Sequence, residues 1–179
     1  MNKDSLQSSI ESHIDFPKKR IVFRDVLPIL RDPKIFNTLI EDMSSLNICK
    51  VADSILAVDA RGFIFGSAVA FKLSKPLVVA RKPGKLPNET FQKSFDLEYG
   101  STSIEIQKNT QISEDERVVI VDDLVATGGT AIACAELLTE NFNVKESNIL
   151  ILGIIDLPDL GGSKLMKDRG YNIETLISY

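Results

Sequence analysis

Histidine occurs once in the 179 residues, at His13, and cysteine twice, at Cys49 and Cys134. A single histidine excludes any catalytic or metal centre built on several imidazoles. The cysteines lack the paired spacing of a zinc site. Their neighbours, Asn47-Ile48 and Ala131-Ile132-Ala133, point to buried thiols in a reducing compartment rather than to a disulfide. No apolar run approaches the roughly 18 residues that a membrane helix needs, and the stretch Met1 to Glu11 is polar, without the apolar core of a secretory leader. A cytoplasmic protein with no membrane partner is expected. There is also no excess of positive charge: 21 Lys and Arg face 25 Asp and Glu, a net charge of −4. Nucleic-acid binders are usually basic, so no nucleic-acid partner is expected either. Two familiar nucleotide loops are missing as well. Neither Gly-x-x-x-x-Gly-Lys followed by Ser or Thr, nor Gly-x-Gly-x-x-Gly after a strand, occurs in the chain.

What is present is an alternation of short apolar runs and helical periodicities, without internal repeats. Ile55 to Val58, Leu77 to Ala80, Val118 to Val121 and Ile149 to Ile155 read as buried strands, and Ile173 to Ser178 as a last strand, at an edge. Gly62 to Leu73 and Thr130 to Glu140 read as helices between them. Wholly apolar strands are what a parallel sheet covered on both faces requires. The expected fold is therefore α/β, a central, mainly parallel sheet flanked by helices, in one domain over residues 1–179. Two stretches stand apart. Residues 12–33 carry proline and charge and follow a short N-terminal helix. Residues 81–108 form a long insertion with Pro83, Gly84, Pro87 and Gly100 and β-like alternation at Ser103 to Gln107. Segments this long between strands are commonly lids or binding loops.

The most informative segment runs from Val118 to Thr130. A wholly apolar strand meets Asp122 and Asp123, then Leu124 and Val125, then Ala126-Thr127-Gly128-Gly129-Thr130, where a helix opens. The glycines let backbone N–H groups approach a ligand, Thr127 and Thr130 add hydroxyl donors, and the helix N-terminus adds partial positive charge. Together these suit a phosphate monoester. Asp122 and Asp123 would repel a phosphate but would accept hydrogen bonds from ribose hydroxyls. The plainer alternative is a structural strand–turn–helix.

A second strand-to-helix junction carries Asp59-Ala60-Arg61. Arg61 is either an anion ligand or the partner of Asp59 in a structural ion pair. Arg81, Lys82 and Lys85 open the insertion just after another strand, either as an anion-binding cluster or as a solvated loop. In the N-terminal stretch, Val22-Phe23-Arg24 offers an aromatic ring that is either a stacking platform or part of the core.

These four separated motifs, in their order along the chain, resemble those of type I phosphoribosyltransferases, and from about Asp15 onward the chain resembles the members of that family that act on adenine. The resemblance implies transfer of phosphoribosyl from 5-phosphoribosyl 1-diphosphate (PRPP) to adenine, giving AMP and diphosphate. It implies that Ala126, Thr127, Gly128, Gly129 and Thr130 bind the 5′-phosphate and that Asp122 and Asp123 bind the ribose hydroxyls. Asp59, Ala60 and Arg61 would form the diphosphate turn, with a non-proline cis peptide at Ala60–Arg61, and Arg61 as a catalytic residue, with Arg81, Lys82 and Lys85, would stabilise departing charge. Phe23 would stack on the base, with Val22 and Arg24 reading its edge through the backbone and Leu124 on its other face. Residues 15–33 would be the base-recognition segment and 81–108 the hood and flexible loop, where Glu98 would handle the proton and Tyr99 would contact substrate. Mg²⁺ would be held mainly by PRPP and water, without a dedicated protein metal site. A homodimer is implied, with Gly62 to Leu73 as a contact helix. Arg20 stands where family members commonly carry glycine. A transferase for another base, a non-catalytic nucleotide sensor on the same fold and a bare phosphate-binding module are the competing readings.

Overall fold

Every residue of Ile149–Asp156 is buried, as is every residue of Ser54–Val58. Segments that are apolar on both faces can only lie at the centre of a covered sheet. In the computed structural model, which describes residues 3–96 and 101–179, they do so. The described elements run in chain order: α1 (Lys3–Ser8), β1 (Glu11–Ile14), β2 (Val22–Asp25), α2 (Pro33–Ser45), α3 (Asn47–Val51), β3 (Ser54–Val58), α4 (Arg61–Leu73), β4 (Leu77–Ala80), β5 (Thr90–Asp96), β6 (Ser101–Gln107), β7 (Val118–Val125), α5 (Gly129–Phe142), β8 (Ile149–Asp156), α6 (Gly162–Asp168) and β9 (Asn172–Ser178).

The central sheet has the order β4-β3-β7-β8-β9 and every pairing in it is parallel. The expected fold class holds, with β9 at one edge. Strand alternation divides the core. Ile55, Val119, Val121, Leu150 and Leu152 pack on one side with Leu39 and Met43 of α2 and Phe65 and Val69 of α4. Leu56, Ile120, Ile149 and Ile151 pack on the other with Leu137 and Leu138 of α5 and with Ile104 and Ile106 of β6. Both cysteines are free and buried, and desolvation pushes the Cys49 thiol up to about 12. Among the described residues, no helix is long and apolar enough to cross a membrane.

Two small antiparallel hairpins sit outside this sheet. In the first, β1 pairs with β2 and brings His13 opposite Phe23. The second, β5 with β6, lies within residues 81–108 and adds a strand, β5, to the one expected around Ser103 to Gln107. Its alternation sets Phe91, Lys93 and Phe95 on one side, toward α5. Phe91 meets Phe142 edge-on at 5.4 Å, and Lys93 reaches Glu136 and Glu140 at 3.1 and 2.6 Å.

The order of the strands places the site. From β3 the chain moves outward to β4, whereas from β7 it moves the other way to β8 and β9. The reversal lies between β3 and β7, and ligands of open α/β sheets bind beyond the carboxyl ends of the strands at such a switch point. Asp59 and Arg61 come after β3, Arg81 after β4, and Ala126 after β7, all at that one edge.

Candidate active site

The loop between β7 and α5 turns on Gly128, whose φ of +82° is open to glycine and strained for other residues. No side chain caps the 14-residue helix α5 that begins at Gly129. Its first N–H groups have no intrahelical acceptors and stay directed at the loop, where an anion would satisfy them. Thr127 is exposed and Thr130 half-buried at the same place. The 13-residue helix α4 repeats the arrangement, for its N-cap, Ala60, has no side-chain hydrogen bond either.

The strand β7 is longer than the sequence suggests. It runs through both acids to Val125 rather than stopping at Val121, because Asp122 pairs with Gly153, Leu124 with Ile155 and Val125 with Asp156 on β8. The acids are thus held in a rigid ladder. Asp122 Oδ1 accepts the Asp123 N–H at 2.8 Å. Desolvation, reinforced by the Asp123 charge, pushes the Asp122 carboxyl well above its ordinary range. Desolvation raises Asp123 too, and the Arg61 guanidinium opposes that shift. Asp123 Oδ2 lies 2.9 Å from Arg61 Nε, yet no donor is aligned for a hydrogen bond to it. A buried carboxylate oxygen in that condition has capacity for a ligand donor. Leu124 is half-buried and packs against the α2–α4 side of the core.

Arg61 and Arg81 are both paired, but not as a structural Asp59–Arg61 bridge would have it. Arg61 pairs with Asp123, and Arg81 Nε pairs with Asp59 Oδ2 at 3.2 Å. The cis peptide expected at Ala60–Arg61 lies one residue earlier, at Asp59–Ala60, and Arg61 is already the first residue of α4. Lys82 and Lys85 are exposed in the turn after β4. That turn is anchored by Arg81 Nη1, which donates to the Lys85 carbonyl at 3.1 Å, and by the Gly84 N–H, which donates to buried Glu105 at 3.2 Å.

Strand alternation separates the three base-recognition candidates. Phe23 is half-buried, with Phe16 edge-on at 5.2 Å and the Arg61 guanidinium 5.1 Å from its ring centroid. Arg61 therefore touches both the aromatic ring and the acid pair. Val22 and Arg24 instead line a cleft of about 750 Å³, which Ala126 and Thr127 of the loop between β7 and α5 also line. Arg24 lies over the Tyr179 ring at 3.9 Å. Glu98 and Tyr99 lie outside the described residues.

Some contributors carry weak sequence signals or none. Leu157 and Tyr179 line the cleft, and Gly162 presses on the loop between β7 and α5 at Ala126, Thr127 and Gly128. Leu157 comes directly after β8, at the same sheet edge as the other motifs, so the rule that singles those motifs out would have found it too. Tyr179 has no such signal, since nothing local marks it.

Comparison with known proteins agrees with this geometry. Residues 34–171 match the family model described as the phosphoribosyl transferase domain. The chain is 43% identical over 179 residues to the adenine phosphoribosyltransferase of Prochlorococcus marinus (strain MIT 9215), covering 100% of both. Among solved structures, it is similar to the adenine phosphoribosyltransferase of Thermoanaerobacter pseudethanolicus ATCC 33223, with a TM-score of 0.90 and 42% identity over 99% of this chain and 100% of that one. It is also similar to the Giardia lamblia enzyme complexed with 9-deazaadenine, with a TM-score of 0.92 and 30% identity over 100% and 98%.

Proposed function

Since the chain belongs to the phosphoribosyltransferase family, we propose that it transfers the phosphoribosyl group of PRPP to adenine, releasing AMP and diphosphate. The observation that carries this reading is the uncapped loop and helix N-terminus at Ala126–Thr130, one strand-end from a buried acid pair that an arginine links to an aromatic ring. The relatives named for adenine support the choice of base.

In this reading the 5′-phosphate docks on Ala126 to Thr130, and Asp122 and Asp123 accept the ribose hydroxyls. Asp59, Ala60 and Arg61 form the diphosphate turn, and Arg61 exchanges Asp123 for the diphosphate. Arg81, Lys82 and Lys85 add charge on the same side. Adenine stacks on Phe23 with Leu124 opposite, and the backbone of Val22 and Arg24 reads its edge. An N–H and a C=O suit adenine's N1 acceptor and N6 donor; hypoxanthine and guanine would leave them mismatched. N9 attacks C1′ as the C1′–O bond to diphosphate breaks, and the N9 proton passes to Glu98, with Tyr99 beside the substrate. The hood, residues 81–108, excludes water from the oxocarbenium-like centre. Residues 15–33 serve as the base-recognition segment of a single domain spanning 1–179.

The donors fit Mg²⁺ held mainly by PRPP and water, because the acid pair offers oxygen atoms only, one of them without a hydrogen bond. Bound there, the ion would neutralise diphosphate charge. A cytoplasmic homodimer completes the proposal. Its contact helix is α4, whose Phe71 is 86% exposed, an unusual position for a large aromatic side chain.

The test is incubation with PRPP, Mg²⁺ and each purine base, with the nucleotide then quantified by chromatography. AMP from adenine, with little product from hypoxanthine or guanine, is expected. Product from another base would overturn the reading of Val22 to Arg24, and no product from any base would overturn the activity. In the same assay E98Q is expected to cut turnover; an unchanged rate removes Glu98 from the proton path.

A further inference from the structure

The phosphate loop contains no charged residue. Ala126, Thr127, Gly128, Gly129 and Thr130 offer a dianionic phosphate only N–H groups, hydroxyls and a helix terminus. The cleft that Ala126 and Thr127 line is also lined by Lys18, Arg20 and Arg24, with Asp159 as the one acidic side chain in the lining. The lining is therefore net positive in a chain of net charge −4.

Arg20 differs from the other arginines in two ways. Its φ is +70°, the left-handed region that glycine tolerates and a β-carbon disfavours. The turn needs that conformation, because the Arg20 N–H donates to Asp15 Oδ1 at 2.6 Å and the Ile21 N–H to the Lys18 carbonyl at 3.3 Å. Glycine would serve the turn better than arginine. Secondly, Arg31, Arg61, Arg81, Arg117 and Arg169 all pair with carboxylates, and Arg24 stacks on Tyr179. Among the described residues, the Arg20 guanidinium alone has no ion-pair or ring partner. A side chain that strains its own backbone, lines the substrate cleft and carries an unneutralised charge calls for an anionic partner.

We propose that Arg20 is a substrate-binding residue of this chain, pairing with the 5′-phosphate in the cleft that it lines together with Ala126 and Thr127. The proposal rests on the phosphate assignment of Ala126–Thr130 but not on the identity of the base. Guanidinium and phosphate match in charge and in donor geometry. The contact is solvent-exposed, so it is modest and salt-sensitive.

The test compares wild type with R20Q, R20G and R20K. Binding of ribose 5-phosphate is measured by calorimetry at low and high salt, alongside the KM values for PRPP and adenine. Loss of the charge is expected to weaken ribose 5-phosphate and raise the PRPP KM roughly fivefold in R20Q and R20G, the scale of an exposed charge-assisted contact. The adenine KM should stay within twofold. R20K keeps the charge but not the planar fork, so it should fall between wild type and R20Q, and high salt should narrow the difference. R20G should melt at or above the wild-type temperature, since it relieves the turn, so its weaker binding would not reflect misfolding. Wild-type affinity in both R20Q and R20G overturns the proposal. So does a loss in R20G alone, which would assign the effect to backbone freedom. If wild type binds ribose 5-phosphate but makes no nucleotide, the reaction reading fails while this one is still decided by the calorimetry.

Discussion

Asp122 shows what a single residue gives up to serve a site. A carboxylate on a buried strand, beside a second carboxylate, is a poor choice for stability. Burial and the Asp123 charge raise its proton affinity in the folded protein above the ordinary value of 3.8. Between that value and the higher folded one, the native state holds a proton that the unfolded chain has lost. Stability from this group is therefore fully present below pH 3.8 and declines as pH rises through the folded value. Asp122→Asn keeps the Oδ1 that accepts the Asp123 N–H and removes the ionisation. The variant is expected to melt higher than wild type at pH 7 and to converge with it near pH 4, each kcal/mol recovered appearing as roughly 2–4 °C. Its PRPP affinity should fall in the same preparation, as the paired carboxylates are proposed to accept ribose hydroxyls. Melting curves across pH, read beside PRPP binding, check both halves. A lower melting temperature at pH 7 would mean that the ionised Asp122 is stabilising where it stands.

At the scale of elements, the proposed phosphate loop is held by α6 as well as framed by β7 and α5. The Gly162 N–H, at the start of α6, donates to the Ala126 carbonyl at 3.0 Å, and the Leu157 N–H donates to the Val125 carbonyl at 3.0 Å. A β-carbon on Gly162 would lie 2.2 Å from the Ala126 carbonyl oxygen, 2.6 Å from the Gly128 nitrogen and 2.7 Å from the Thr127 carbonyl carbon. All three are backbone atoms and cannot rotate away. Gly162→Ala must therefore push the loop and α6 apart, at an overpacking cost of about 1–3 kcal/mol. The PRPP KM is expected to rise about tenfold or more, with adenine affinity little changed. An unchanged PRPP KM in a folded variant would mean that the loop position does not depend on α6. This contact also shows where sequence stops being informative. The strand-loop-helix at Val118–Thr130 was legible because its apolar run, acids and glycines are contiguous. The parallel sheet was legible because its strands are apolar on both faces. Gly162 was not, because a glycine beside another glycine reads as an ordinary turn until the fold sets it against residues some 35 positions earlier. The same limit hid the partners of Asp59 and Arg61. Their closeness in sequence suggested a mutual bridge, whereas the sheet edge brings Arg81 and Asp123 to them instead.

For the whole molecule, the exposed aromatic on α4 is the feature that a lone chain explains least well. The buried face of this helix, Gly62, Phe65, Gly66, Val69 and Ala70, lies against the sheet. Phe71 faces away at 86% exposure, close in sequence to Leu77 on the edge strand β4, which is 41% exposed. Most large aromatic side chains of a folded chain are at least partly covered, and burying one contributes on the order of 1.5–3 kcal/mol. In a two-fold dimer the same patch is present on both partners, so each copy would gain that contribution. The proposed homodimer through α4 therefore predicts that Phe71→Glu, which sets like charges against one another at the contact, shifts the protein toward monomer. Light scattering during size-exclusion chromatography, over a dilution series, reads the mass directly. A dimeric wild type and a variant that dissociates at about tenfold or more higher concentration are expected, each 1.4 kcal/mol lost being a factor of ten. Because α4 begins at Arg61 and carries the proposed diphosphate turn at its N-terminus, the dilution at which wild-type mass falls should also be the dilution at which specific activity changes. A wild type that is monomeric at all concentrations would remove the proposed dimer, a Phe71→Glu protein that stays dimeric would place its interface elsewhere, and either would leave Phe71 as an exposed side chain without a partner.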